Sequence, residues 1–349
     1  MHNPDQHASA GDVLAQYLHA RAADFLRALS RHAEGNGADT AGAEEATRAL
    51  RAASRRISGT LHTFRPLLDP SWADGLRTEL AWLSGTLAQE HACTTRLVRL
   101  VDALSRLTGG GAPVGGGGPA EATAEASGGA AGAARDSTPG PRKRAAVPGA
   151  RAGGEALALG AARAGALLER QLMLARARAH SAALQALGST RFHAVADAVA
   201  LLASEVPLGP AASAPSDDVL AAPAEAVERR LLDAVAALPM SPAVGGEHQD
   251  GAWHQVRLLL RLHRYAQEAR CAAGAEEPAP ELYEAAGALD RHRDAAEAAA
   301  AAATAARTPR IAPATAYALG VLHADQRHEV EAARHAFQRA WRGAVVTAR

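Results

Sequence analysis

The chain has 349 residues, of which 37 are basic and 37 acidic, so its formal net charge is zero. That balance argues against a protein that coats nucleic acid, which normally carries a global basic excess, and leaves only local clusters to bind a polyanion. Hydrophobic residues make up 48% and aromatics 3%, and alanine supplies much of the apolar share, so the composition predicts closely packed helices around leucine-rich cores and no strands. A first helix starts near Asp12, as its expected cap, with Leu14, Tyr17, Leu18 and Phe25 on one side. A second runs roughly from Ala43 to Leu61 and stops before Pro66. A third begins after Asp69-Pro70, places Leu76, Leu80, Leu83 and Leu87 on one face, and continues through Leu97, Leu100 and Leu104 as one long helix or two in series.

Residues 109–154, rich in Gly, Ala, Ser and Pro, offer almost nothing to bury and read as a flexible linker. Its basic triplet Arg142-Lys143-Arg144 is either a weak electrostatic tether or a solvated charge run. Helical periodicity resumes near Glu155, and Ser189 opens another helix containing Val195, Val199 and Leu202. Pro207 to Pro223 reads as a loop, followed by helices over about Pro223–Leu238, Trp253–Ala273, Pro280–Ala306 and Pro313–Val345. The organisation is therefore a helical half over 10–108, a linker over 109–154 and a second helical half over 155–345. Cys93 and Cys271 lack metal-ligand spacing and read as small apolar residues of a reducing compartment. Neither a signal peptide nor a run of about 18 apolar residues is visible, which points to the cytoplasm and away from a membrane.

Two helices carry basic residues in the same register. In the first half Arg48, Arg51 and Arg55 precede Ser58, with Arg56 beside them. In the second, His254, Arg257, Arg261 and Arg264 recur at spacings of three, four and three, which confines them to roughly 80° of helical arc. A solvated helix face usually alternates charge, because acid–base pairs at i,i+4 stabilise it. These stripes hold no acid at their core positions. From the residues alone two readings stay open, a plain charged face and an anion site; the internal match favours the anion site. A weaker correspondence follows each stripe, Leu87–Ala92 in the first half and Leu289–Asp294 in the second, so the chain looks duplicated.

These segments, in this order, resemble the CHAD family, the conserved histidine α-helical domain, whose motif runs H-x-x-R-x-x-x-[RK]-R-x-R and is followed by an L-G-x-x-[RH]-D-like segment. The likeness extends from about Ala10 to Trp341. Departures are Arg48 at the histidine position, Ser58 and Leu262 at basic positions, His91-Ala92 in place of Arg-Asp, and Asp290 in place of glycine. The resemblance implies an all-α fold of two antiparallel four-helix bundles from an internal repeat, related by pseudo-two-fold symmetry. It also implies non-catalytic binding of inorganic polyphosphate by Arg48, Arg51, Arg55, Arg56, His254, Arg257, Arg261, Arg264 and His292 along a shared groove. Association with polyphosphate granules, and partnership with granule proteins or a separate triphosphate tunnel (CYTH) protein, follow from the same resemblance.

Catalysis finds no support. The chain has no GxxxxGK[ST] loop and no GxSxG elbow, and His292-Arg293-Asp294 sits in an alanine-rich helix without the partners of a kinase loop. His323, His328 and His335 do not share one helical face, so neither a metal nor a cofactor is expected. The alternatives are a helical protein-interaction scaffold with a degenerate phosphate site, and a nucleic-acid binder. The scarcity of aromatic stacking platforms argues against the second.

Overall fold

The computed structural model describes residues 9–34, 40–109, 148–239, 249–272 and 279–347. Among them the regular structure is α-helical, with two short 3-10 turns and isolated bridges joining Ser9 to Pro215 and Leu68 to Leu208. The helices are α1 (Ala10–Glu34), α2 (Thr40–Thr63), α3 (Pro70–Leu107), α4 (Pro148–Leu187), α5 (Thr190–Leu202), α6 (Ser216–Ala236), α7 (Asp250–Cys271), α8 (Pro280–Ala306) and α9 (Pro313–Thr347). The all-α expectation therefore holds.

Local chemistry fixes several of the helix starts. Asp69 accepts a hydrogen bond from the Trp72 amide and Ser189 from the Phe192 amide, each capping its helix. α8 carries proline in its first turn, and proline there sacrifices no intrahelical bond. At α1 the expected cap shifts by one turn. Ser9 is the capping residue, its hydroxyl accepting from the Asp12 amide, while Asp12 reaches back to accept from the Ser9 amide. This reciprocal arrangement is a capping box, with Asp12 inside the first turn.

One open alternative is decided, and two further boundaries differ from the sequence reading. The region after Pro70 is one helix of 38 residues, about 57 Å long at the usual rise. α4 begins at Pro148 rather than near Glu155, and the remainder of the expected linker, with Arg142–Arg144, lies outside the described residues. α6 begins at Ser216 and carries Pro223 within it. Leu220 and Ala224 are buried on either side of that proline, so packing holds the first turns helical despite the lost amide.

Three hydrophobic cores organise the helices. The first gathers α1, α2, the N-terminal half of α3, the end of α4, α5, the start of α6 and the end of α7, around Phe25, Ile57, Phe64 and Leu80. The second joins the C-terminal part of α3 to α4, the end of α8 and the start of α9, through Leu104, Leu168, Ala302 and Leu322. The third joins the end of α6 to the first turns of α7, the start of α8 and the end of α9, around Trp253, Leu260, Leu289 and Phe337. The helices α3, α4, α6, α7, α8 and α9 each serve two cores, and their polar middle segments lie between cores. Alanine makes this close packing feasible, as at Ala295, Ala298, Ala299 and Ala302 of α8. At Gly160 of α4 even a methyl group is excluded, because a Cβ would overlap the backbone carbonyl of Ala314 at the start of α9.

Gly160→Ala would raise the stability of an unconstrained helix by about 1 kcal/mol. Here it is expected to cost about 1–3 kcal/mol through overpacking, read as a lower denaturation midpoint in urea. A stabilised variant would show that the helices do not approach this closely.

Candidate functional site

The helices bearing the two basic stripes cross each other. Their crossing point is Gly59 of α2: a Cβ there would lie 2.6 Å from Cδ2 of Tyr265 and 3.3 Å from Cδ2 of Leu262 on α7. Glycine inside a helix costs about 1 kcal/mol relative to alanine, and in return the α2 and α7 backbones come close. The apolar side of α7, with Trp253, Val256 and Leu260, is buried in the third core. Its basic side therefore turns toward α2 and α8.

Two clefts open beside the crossing. One, of about 310 Å³, lies between α2, α3 and α8 and is lined by Arg51, His91, Arg96, Arg99 and Arg293, with Asp294 and Glu297. The other, of about 550 Å³, lies between α2, α3 and α7 and is lined by Arg55, Ser58, Gly59, His62, Arg77 and Arg261. They use successive turns of α2 and one face of α3, at 88–99 and at 77–84. At helical spacing they form two parts of one groove.

The electrostatics of this groove are unfavourable to the protein itself. Among the described residues neither Arg51 nor Arg55 has an ion pair, and the Nε of each is buried without a hydrogen-bond partner. Burial, followed by Arg55, Arg293 and Arg261, pushes the Arg51 guanidinium down to about 10. Burial and then Arg257 push Arg261 down to about 10 as well, with Arg55 contributing. Both remain charged at neutral pH. His254 is held below the ordinary histidine range by burial and by Arg257, Arg261 and Arg293, against a small opposing pull from Glu297. Cations from α2, α7 and α8 thus press on one another in one place.

The other residues singled out in the sequence have different surroundings. Arg257 is buried and gives its Nε to Asp290 of α8 at 2.5 Å. Arg264 stacks on the Tyr283 ring at 4.1 Å. Arg48 is exposed and paired with Glu45 at 2.7 Å. Arg56 points away from the groove to Glu268, at 2.9 Å, and lies over the Tyr265 ring. Burial alone would lower its pKa, but Glu268 outweighs burial and raises it. His292 faces a different side of α8 from Asp290 and Arg293, because residues one or two apart do not share a helix face. It is buried, stacked on Trp253, 3.4 Å from Asp250 and 3.3 Å from the Arg334 Nε. The structure does not bring Arg56 or His292 into the groove.

Sequence reasoning missed His91, Arg96, Arg99 and Arg293 in the first cleft, and His62 and Arg77 in the second. Arg293 and His91 stand in the paired segments Leu289–Asp294 and Leu87–Ala92, which the sequence marks as a repeat, and at His91-Ala92 as a departure from the family motif, without assigning either residue to the site. Arg96 and Arg99 fall with Ala88 and Ala92 at spacings of four, four and three along one face of α3, a usable signal once α3 is known to be one helix. Among the described residues no group of three or more His, Cys, Asp or Glu side chains is arranged to hold a metal, and no helix is long and apolar enough to cross a membrane.

Comparison with known proteins gives a consistent result. A family model described as the CHAD domain matches residues 20–302. Among solved structures, PptA from Streptomyces chartreusis is 54% identical, covers 96% of this chain and 100% of its own, and superposes with a TM-score of 0.73. The CHAD domain from the plant Ricinus communis is 19% identical, covers 96% of this chain and 93% of its own, and has a TM-score of 0.52, a likeness of fold alone. No curated protein matches the chain.

The network behind the groove has its own pH signature. Burial would raise the Asp250 carboxyl, but hydrogen bonds with His292 and Arg327 outweigh it and hold it down to about 2. A carboxyl lowered in the folded state contributes stability above its unfolded value, near 3.9, and loses it as pH falls toward 2. Asp250→Asn is expected to cost about 2 kcal/mol at pH 7 and to flatten the stability profile between pH 4 and 2. Urea denaturation across that range measures both.

Proposed function

The chain belongs to the CHAD domain family, and on that premise we propose that it binds inorganic polyphosphate, without catalysis, in the groove between α2, α3, α7 and α8. The observation that carries the reading is the convergence of Arg51 and Arg55, which lack acidic partners among the described residues, with Arg261 and Arg293. Crowded guanidinium groups destabilise the free protein and are relieved by an anion. A flexible chain of phosphates can thread past cations spread over several helix turns, where a rigid duplex cannot. Each arginine offers charge-assisted, often bidentate bonds, and counterion release makes affinity fall steeply with salt.

Arg51, Arg55, Arg261 and Arg293 form the centre of the site in this reading, with His254 and Arg257 beside them and His91, Arg96 and Arg99 extending it. Arg264 and Arg48 flank it. Recruitment to polyphosphate granules, with granule proteins or a separate CYTH protein as partners, is the role proposed for such binding. A scaffold function is the second reading, favoured by the carboxylates of α8 that already neutralise some of the arginines.

Charge removal at Arg51 and Arg55, and at Arg261, whose contact with Asp290 is a loose 3.8 Å, tests the site with little harm to the fold. Arg51→Gln, Arg55→Gln and Arg261→Gln combined are expected to weaken polyphosphate binding at least tenfold in a low-salt gel-shift assay. Melting temperature should stay level or rise, since repulsion is removed. Unchanged affinity with a folded variant would favour the scaffold.

His254 offers an independent reading of the same groove. Its imidazole should titrate below about 6.5 in the free protein and move upward when polyphosphate is added, followed by NMR. Binding then takes up a proton, so affinity rises as pH falls through the bound-state value and levels off below the free-state value. A titration that polyphosphate does not move would place the ligand elsewhere.

A further inference from the structure

Asp290, Asp294 and Glu297 recur on α8 at spacings of four and three, which puts all three on the face toward the groove. Each holds a groove arginine. Asp290 accepts from the Arg257 Nε at 2.5 Å and lies 3.8 Å from Arg261. Asp294 accepts from Arg293 at 2.5 Å. Glu297 accepts from Arg96 at 2.6 Å and lies 3.8 Å from Arg293. The row of acids on α8 faces the row of bases on α7 and α3, and carboxylate oxygens sit where guanidinium groups would otherwise meet phosphate oxygens.

These contacts are also built to open. The side chains of Asp290 and Glu297 are 53% and 42% exposed, against 9% for Arg257 and 23% for Arg96. The arginines are the fixed partners, and the carboxylates can rotate into water without disturbing a core. A half-exposed pair of this kind holds weakly, so a ligand that brings several anionic groups at once can replace it.

We propose that Asp290, seconded by Glu297, is an affinity-setting residue: an internal competitor that occupies the anion position on Arg257 and Arg261 and that an incoming polyphosphate chain must displace. The inference rests on the polyphosphate reading above. It divides the groove into two parts. Arg51 and Arg55 are open to a first contact, whereas Arg257, Arg293 and Arg96 are gained only by exchange with a carboxylate. Exchange adds less net charge neutralisation than binding to an open arginine, so the internal acids lower both the affinity and its salt dependence.

Asp290→Asn and Glu297→Gln keep shape and remove charge. Each is expected to tighten binding of long-chain polyphosphate roughly threefold to tenfold, the scale of one half-exposed ion pair. Each should also steepen the slope of log affinity against log salt by about 0.7, as for one more charge neutralised on a flexible strand. Asp290→Ala repeats the measurement in case the new amide itself bonds Arg257. Glu79→Gln, on the far side of α3, is the control for loss of one negative charge and should change neither quantity. If the wild type binds and the Asp290 variants bind no tighter, or bind tighter with an unchanged salt slope, the internal-competitor assignment falls while the polyphosphate reading stands. If neither wild type nor variants bind at low salt, both fall together.

Discussion

The repulsion between guanidinium groups on α2 and α7 is the constraint around which the middle of this molecule is arranged. Gly59 lets the two helices touch, and the contact of Tyr265 with it fixes their crossing. Nothing in the local chemistry of either helix favours bringing Arg51 and Arg55 toward Arg261. The cost is covered by the apolar faces of the same helices, Ile57 and Leu61 on one and Val256 and Leu260 on the other, which are anchored in large cores. Hydrophobic burial supplies enough free energy to hold an electrostatically strained arrangement, and the strain is then available to a ligand of opposite charge.

The acidic row of α8 and the network at Asp250 place ion pairs on opposite sides of one helix. Toward the groove, exposed carboxylates neutralise part of the charge in contacts that can open. Away from it, Asp250 gathers Arg327, Arg334 and His292 in a partly buried cluster that joins the first turn of α7 to α8 and α9. One set of ion pairs is positioned to exchange and the other to hold, and burial distinguishes them.

Helices were legible in the sequence because leucine and alanine recur with a clear 3.6 period, and their starts were legible where Asp69, Ser189 or a first-turn proline marks them. The reading failed where tertiary packing overrode a local signal, as at Pro223, whose neighbours Leu220 and Ala224 are pinned in the first core. For the site, the stripe at 254, 257 and 261 was visible from spacing alone. His292 was misdirected for a definite reason. It adjoins Arg293 in sequence, yet a helix turns adjacent residues to different sides, and the neighbour rather than the histidine reaches the groove. Arg96 and Arg99 needed the third dimension, because the packing of α3 against α2 and α8 shows which of its faces lines the cleft.

The sharing of helices between cores bears on how the chain must be made. The first core needs α1 to α3 together with α5 to α7, and the second needs α3 together with α4, α8 and α9. A fragment ending at residue 109 would present the Leu100 and Leu104 side of α3 to water, and the fragment from 148 onward would lack the surface that covers it. Neither piece has a complete inside of its own. The helices before residue 109 and those after 148 complete one another's cores, and the Leu100 and Leu104 face of α3 stays uncovered until α4, α8 and α9 are present.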